Sequence, residues 1–167
     1  AGIHGMAVGM KVRQDDDVQS GYDFDFSHFL SGFDVGKVGR SAVDRASRLL
    51  GARQIKTMKV PVLFDTMSTA DVMEFIADAF LGENVIKGKS ALKDKLGQLC
   101  ISPCLTISDN PLDKRSANAC PFDGEGVPSR RTVLLRQGMV SAFLYDTYWA
   151  SRAGTVSTGS SVRGGYR

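Results

Sequence analysis

A chain of 167 residues is long enough for one domain with its own core, and apolar, charged and aromatic shares of 43%, 23% and 8% exclude wholesale disorder. A net charge of +3 gives nucleic-acid binding no support, because basic residues cluster only briefly, at Lys87–Lys95 and Arg130–Arg131, where a solvated face is the ordinary meaning. No apolar run is long enough for a membrane span, the first residues lack the features of a signal peptide, and Cys100, Cys104 and Cys120 are too few and odd in number for a disulfide framework, so the chain reads as cytosolic with reduced thiols.

Residues 3–13 alternate loosely, with Ile3, Met6, Val8, Met10 and Val12 apolar, as a strand does. Gln14-Asp15-Asp16-Asp17 reads as a solvated turn, since calcium binding would need more widely spaced oxygen ligands. Val18 to Phe26 alternates again, with Tyr22, Phe24 and Phe26 on one face, which predicts a β-hairpin. A helix is expected over Val38 to Leu50, where Val38, Ala42, Val43, Ala46, Leu49 and Leu50 recur at helical spacing and Gly51 stands at the C-cap. Lys59 to Phe64 reads as a short apolar strand.

Ser68-Thr69-Ala70-Asp71 matches a capping box that would open a second helix, with Val72, Phe75, Ile76, Ala79 and Phe80 inward and Asp71, Glu74 and Asp78 outward. Residues 84–96 read as a lysine-rich loop with a little helix, Leu99 to Ile107 as a strand broken by Pro103, and Asp109 to Arg130 as loop. Thr132–Arg136 and Met139–Tyr145 flank Gln137-Gly138, the two-residue link of a tight hairpin. Asp146 to Ala153 reads as one or two helical turns ending at Gly154. The expected class is α+β, a mainly antiparallel sheet with two principal helices, because several connections are too short for crossovers. The chain opens on what reads as the middle of a strand and closes without a tail, so residues 1–167 are expected to be a central or C-terminal-type segment of a larger protein, truncated at both ends.

Few residues offer chemistry. His4 and His28 are far apart and show no ligand spacing, and His28, among Phe26, Phe29 and Leu30, reads as a core-edge residue. Cys100 and Cys104 have a C-x-x-x-C spacing interrupted by Pro103, which fits neither a redox motif nor a zinc knuckle, and Cys120 reads as packed. No nucleophile elbow or Walker loop is present. Lys37-Val38-Gly39-Arg40-Ser41, at a helix start, could hold an anion, although capping explains it as well. Asp123-Gly124-Glu125-Gly126 has two readings. It could shape a groove for a peptide or partner strand, or its glycines could simply supply positive φ in a bulge, which is the reading we favour.

Several separated stretches carry a resemblance. Phe122-Asp123-Gly124-Glu125-Gly126-Val127-Pro128, the hairpin through Thr132-Val133-Leu134-Leu135 and Leu144-Tyr145-Asp146, the later Ser157-Thr158-Gly159, and upstream Gly82 and Lys87-Gly88-Lys89-Ser90 together resemble the TldD/PmbA family, on its PmbA/TldE-like branch, once called modulators of DNA gyrase. The resemblance implies a TldD–TldE-type pair in which the TldD-like subunit is a zinc protease with H-E-x-x-x-H on a helix. Aligned on Gly82 and Ser90, that motif falls on Met73-Glu74-Phe75-Ile76-Ala77-Asp78, so Glu74 is the only position retained.

Methionine is a poor zinc ligand, and a base without the metal lacks an acidified water to work on. Residues five apart also diverge by about 140° on an ideal helix, so positions 73 and 78 do not converge. Met73 reads instead as a gap-filler and Glu74 and Asp78 as solvated. The expectation is no metal and no cofactor in this chain, with zinc on a TldD-like partner. The chain is then a non-catalytic subunit of a cytosolic protease acting on small unfolded peptides, with a homodimer also open and neither nucleic acid nor membrane as a partner. The rivals are a self-sufficient metallopeptidase whose site, with Asp78 among its ligands, is completed outside this segment, and a regulator of DNA topology.

Overall fold

The computed structural model describes residues 3–32 and 34–162, and the chain divides into two units, residues 1–61 and 62–167. The fold is α+β with antiparallel sheets, as expected, and its two long helices lie one in each unit.

In the first unit, β1 (His4–Gln14) and β2 (Asp17–Ser27) pair without a slip from His4 opposite Ser27 to Gln14 opposite Asp17. Asp15, at φ 52°, makes the turn. The helix α1 (Val35–Ser47) starts three residues earlier than its apolar spacing indicates, because the Asp34 carboxylate accepts from the Lys37 N–H at 2.8 Å and fixes the N-cap there. That cap, with Arg40 beside Asp34 at 3.8 Å, leaves the anion reading of Lys37–Ser41 without support.

Val38, Ala42 and Ala46 are buried, whereas Val43 and Leu49, expected inside, are exposed. The reason lies across the interface. A Cβ on Gly21 would stand 2.5 Å from both the Ala42 carbonyl oxygen and the Ala46 nitrogen, so the helix backbone rests directly on the strand and only small side chains fit between them. Tyr22, Phe24 and Phe26 do share one face, but it is the face turned away from α1. Past the helix, Gly51 at φ 73° donates its N–H to Asp17 Oδ2 at 2.7 Å, closing the helix end onto the hairpin turn. This N–H, followed by the Gln19 amide, holds the Asp17 carboxyl below its ordinary range.

No strand forms over Lys59–Phe64. Among the described residues no neighbour supplies a ladder, and Val60, Val62, Leu63 and Phe64 stay exposed.

The second unit begins with α2 (Thr66–Ala77), whose N-cap is Asp65, accepting from the Ser68 N–H at 2.8 Å. The expected capping box at Ser68–Asp71 therefore lies inside the first turn and caps nothing, since the carboxylate three residues ahead of Ser68 has taken its N–H. The inward face is also corrected. Val72 and Phe75 are exposed, Phe75 at 82%, and only the end of the helix, continuing as a 3₁₀ turn over Asp78–Phe80, reaches the core. There Phe80, Leu134, Leu135, Val140 and Phe143 are buried together, with Ile76, Val85, Leu92, Ile107, Leu144 and Tyr145 packed around them.

The sheet runs β3 (Ile107–Asp109), β4 (Thr132–Arg136), β5 (Met139–Val140), all antiparallel. Gln137 at φ 46° and Gly138 at φ 78° form the expected two-residue turn. Leu99–Ile107 is not a strand: a turn from Ser102 to Leu105 breaks it, leaving a single bridge from Leu99 to Met139. The strand expected to run to Tyr145 ends at Val140, because Ser141 and Ala142 both turn their N–H groups to the Leu134 carbonyl.

One parallel bridge, between Leu81 and Leu144, joins the sheet to α3 (Gly82–Ile86): Leu144 N–H donates to the Phe80 carbonyl at 2.9 Å and Gly82 N–H to the Leu144 carbonyl at 2.7 Å. Ser90 completes the join, its hydroxyl donating to the Ala79 carbonyl at 2.6 Å. A Cβ on Gly82 would overlap the Tyr145 ring and stand 2.9 Å from the Leu144 oxygen. Gly82→Ala is therefore expected to cost about 1–3 kcal/mol, read as a lowered denaturation midpoint with unchanged m-value.

Candidate functional site

The aligned segment Met73–Asp78 occupies the last turn of α2 and its C-cap. Met73 is half-buried, while Glu74 and Asp78 are exposed. Asp78 opens the 3₁₀ turn, and its carbonyl, not its carboxylate, is engaged, accepting from Asn84 Nδ2 at 2.8 Å. A zinc site in a protease needs three nitrogen, oxygen or sulfur ligands with a fourth position for water. Here the helix offers two carboxylates and a thioether, and among the described residues no group of three His, Cys, Asp or Glu side chains stands together. The donors do not fit zinc.

The acidic turn does far more, and what it does is structural. Asp123 Oδ1 accepts from the Glu125 and Val127 N–H groups, both at 2.9 Å, while Oδ2 accepts from Ser161 N–H at 3.0 Å. Burial alone would raise this carboxyl, but the N–H donors of Ser161, Val127, Glu125 and Gly126 hold it below its usual range. Of the two glycines only Gly126, at φ 81°, takes a left-handed conformation.

Glu125 reaches forward to α4 (Thr147–Arg152), where its Oε2 accepts from the Thr147 N–H at 2.8 Å and hydroxyl at 2.6 Å. Asp146 caps the same helix through the Trp149 N–H at 2.7 Å, and Gly154 at φ 66° follows it as expected. Two carboxylates at one helix start satisfy its free N–H groups and suit its dipole. Asp123 and Glu125 thus make their hydrogen bonds inside the unit.

Ser157-Thr158-Gly159 closes on the same place. The buried Thr158 hydroxyl accepts from Tyr145 N–H at 2.8 Å and lies 3.0 Å from the Tyr145 carbonyl, which also takes Thr158 N–H at 2.9 Å and the Ser157 hydroxyl at 3.1 Å. Gly159, at φ 69°, lies where a Cβ would overlap the Pro128 carbonyl, so the two motifs touch backbone to backbone. Arg130 Nη2 donates to the Ser157 carbonyl at 2.7 Å. Sequence reasoning missed the Glu125–Thr147 pair and the contact of Ser160 with Asp109 at 3.3 Å, because the partners stand 22 and 51 residues apart. Burial pushes the Asp109 carboxyl up, partly offset by Ser160.

Of the remaining candidates, His28 is half-buried, while Phe26 and Phe29 beside it in sequence are exposed. All three cysteines are free and exposed, so Cys120 does not pack as expected. Its N–H donates to the Pro111 carbonyl at 2.9 Å in a surface turn, and that backbone bond rather than the thiol holds it.

Thr158→Val keeps the shape but strands the Tyr145 N–H, and is expected to destabilise by about 1–3 kcal/mol, whereas Glu74→Gln is expected to stay within about 0.5 kcal/mol, both read by urea denaturation. Asp109 gives a pH test. Its folded pKa lies above its unfolded value, so its contribution is fully present at low pH and is lost as pH rises through the folded pKa. Asp109→Asn should therefore raise the melting temperature at neutral pH, and the difference should shrink as pH falls through the carboxylate range.

Residues 57–167 match the sequence profile of the PmbA/TldA metallopeptidase C-terminal domain. Metalloprotease PmbA of Escherichia coli O157:H7 is 26% identical over 157 residues, an alignment covering 93% of this chain and 35% of that protein. A candidate modulator of a DNA gyrase from Thermotoga maritima superposes with a TM-score of 0.88 at 30% identity, over 98% of this chain and 38% of that one. TldE from Thermococcus kodakarensis gives 0.79 at 28% identity, over 94% of this chain and 36% of its own. The chain thus spans little more than a third of each relative's length. No helix among the described residues is long and apolar enough to cross a membrane. On the profile match and the shared motifs, the chain belongs to the PmbA/TldD metallopeptidase family.

Proposed function

We infer that the chain serves as part of the non-catalytic, TldE-like half of a TldD–TldE-type protease, with zinc and catalysis on a TldD-like partner and small unfolded peptides as substrate. The observation that carries this reading is the donor set on α2. Met73 and Asp78 stand at the two histidine positions of the family motif, and no third ligand is gathered near them among the described residues. The likeness to TldE of Thermococcus kodakarensis supports the same branch. The chain's share in such a complex is architectural: α2 presents an exposed apolar and acidic surface, with Phe75, Glu74 and Asp78 on it. A role in DNA topology, which the name of the Thermotoga relative raises, draws no support from a net charge of +3 without a basic stripe.

Elemental analysis tests the reading on the protein alone and after mixing with a TldD-like partner, alongside hydrolysis of an unfolded peptide. The expected result is no bound zinc and no hydrolysis by the protein alone, with both appearing in the pair. Stoichiometric zinc on the isolated protein, lost in Asp78→Ala, would overturn it in favour of a self-sufficient metallopeptidase.

A further inference from the structure

The sequence contains one Asp-Gly step, Asp123-Gly124, and no Asn-Gly step. Such a step is chemically labile, because glycine has no Cβ to shield its nitrogen from the carboxyl carbon of the aspartate before it. The pair lies half-buried in its turn, and one residue of the strap over 157–161 binds both of its reacting groups. Ser161, 38 residues after Asp123, donates its N–H to Asp123 Oδ2 at 3.0 Å. Its carbonyl accepts from the Gly124 N–H at 2.8 Å. The other carboxylate oxygen, Oδ1, is held by the N–H groups of Glu125 and Val127, both at 2.9 Å.

We propose that Asp123-Gly124 is a latent backbone-modification site, guarded by the strap, at which isoaspartate forms when Ser161 lifts away. The step is an intramolecular condensation. The Gly124 nitrogen bonds to Cγ of the protonated Asp123 carboxyl, and its amide proton leaves with the carboxyl hydroxyl as water. A five-membered succinimide results. Water then adds to one of its two carbonyls, returning either aspartate or an isoaspartate whose main chain runs through the former side chain. One water is lost and one regained, so no co-reactant is required. In the closed structure both participants are withheld. The N–H donors around Asp123 favour its ionised form, which has no hydroxyl to lose, and they hold the carboxyl below its usual range. The Gly124 proton is engaged by the Ser161 carbonyl.

The guard is shared along the strap, since Thr158 on the Tyr145 main chain, Gly159 against Pro128 and Ser160 on Asp109 keep Ser161 in place. Reaction therefore waits on a local opening of this segment and not on unfolding of the whole unit. The product does not fit back. Isoaspartate adds a carbon to the main chain and moves the carboxylate off the position that Glu125, Val127 and Ser161 clamp. Glu125, two residues on, is then displaced from the start of α4, where it binds Thr147. A transient opening is thereby recorded as a lasting loosening of the α4 cap. The proposal is independent of the reading given above for α2 and its partner.

Incubation of the 167-residue chain at neutral pH tests it, with isoaspartate counted by enzymatic methylation and located in the tryptic peptide that carries Asp123. The folded chain is expected to react at this position at least about a hundredfold more slowly than the same chain unfolded in urea. Ser161→Pro removes the N–H given to Oδ2 and is expected to speed the reaction at least about tenfold, whereas Ser161→Ala keeps both backbone bonds and should match the parent. Melting curves establish that each variant is folded. Thr158→Val loosens the strap away from the reacting atoms, is expected to act in the same direction, and decides the matter if Ser161→Pro does not fold. A folded parent that reacts as fast as the unfolded chain would overturn the proposal. So would a folded Ser161→Pro no faster than Ser161→Ala or, where Ser161→Pro does not fold, a folded Thr158→Val no faster than the parent.

Discussion

The main chain of Tyr145 is the point on which the second unit depends. Its N–H and C=O sit half-buried between the sheet and α4, outside any ladder, and a polar backbone pair in that position must find partners or cost several kcal/mol. Thr158 and Ser157 provide them from 13 and 12 residues downstream. Gly159 then crosses the Pro128 carbonyl, and Ser161 reaches the Asp123 carboxylate. Each member fixes the next, and α4, capped by Asp146 and Glu125, is positioned as a result. The stretches by which the family is recognised are therefore, in this chain, the stretches that satisfy buried polar groups. They are distinctive in sequence because few residue types can donate and accept at such close quarters, and because Gly159 and Gly126 stand at positive φ.

The first unit is organised by smallness instead. Gly21, Ala42 and Ala46 let the helix settle onto the hairpin at backbone distance, which a Cβ on Gly21 alone would prevent. β2 meets the helix through Gly21 and carries Tyr22, Phe24 and Phe26 on the other face. Burial here follows shape complementarity more than residue hydrophobicity, and the aromatic side of the hairpin is the outward one.

What could be read from the residues was whatever local chemistry decides. The hairpin, the body of α1, the Gln137-Gly138 turn and the short α4 all follow from alternation, helical spacing and glycine at positive φ, whereas α1 ends at Ser47 with Arg48 as its C-cap, short of the expected Leu50 and Gly51. Strands at Lys59–Phe64 and Leu99–Ile107 failed because an apolar run specifies no partner, and a strand exists only where a ladder is offered. The α2 cap was misplaced because Asp65 and Ser68 are both competent caps and only geometry chooses between them. The candidate site was legible in its negative part, since the absence of histidine at positions 73 and 78 needs no coordinates. Its positive part was not, because Asp123, Glu125 and Thr158 find their partners across loops whose closure no local pattern encodes.

The exposure of α2 has a consequence for how the second unit breathes. A helix of 12 residues with none fully buried draws little from the core, and helices of that length are marginal on their own hydrogen bonds. Its amides should then exchange with solvent through local opening, at a free energy well below that of global unfolding, while those of β4 wait for the whole unit to come apart. The first turns of α2 can thus open, or be ordered by whatever comes to lie against them, without disturbing the rest, whereas the segment aligned with the family's metal motif is tied to the core through Ile76.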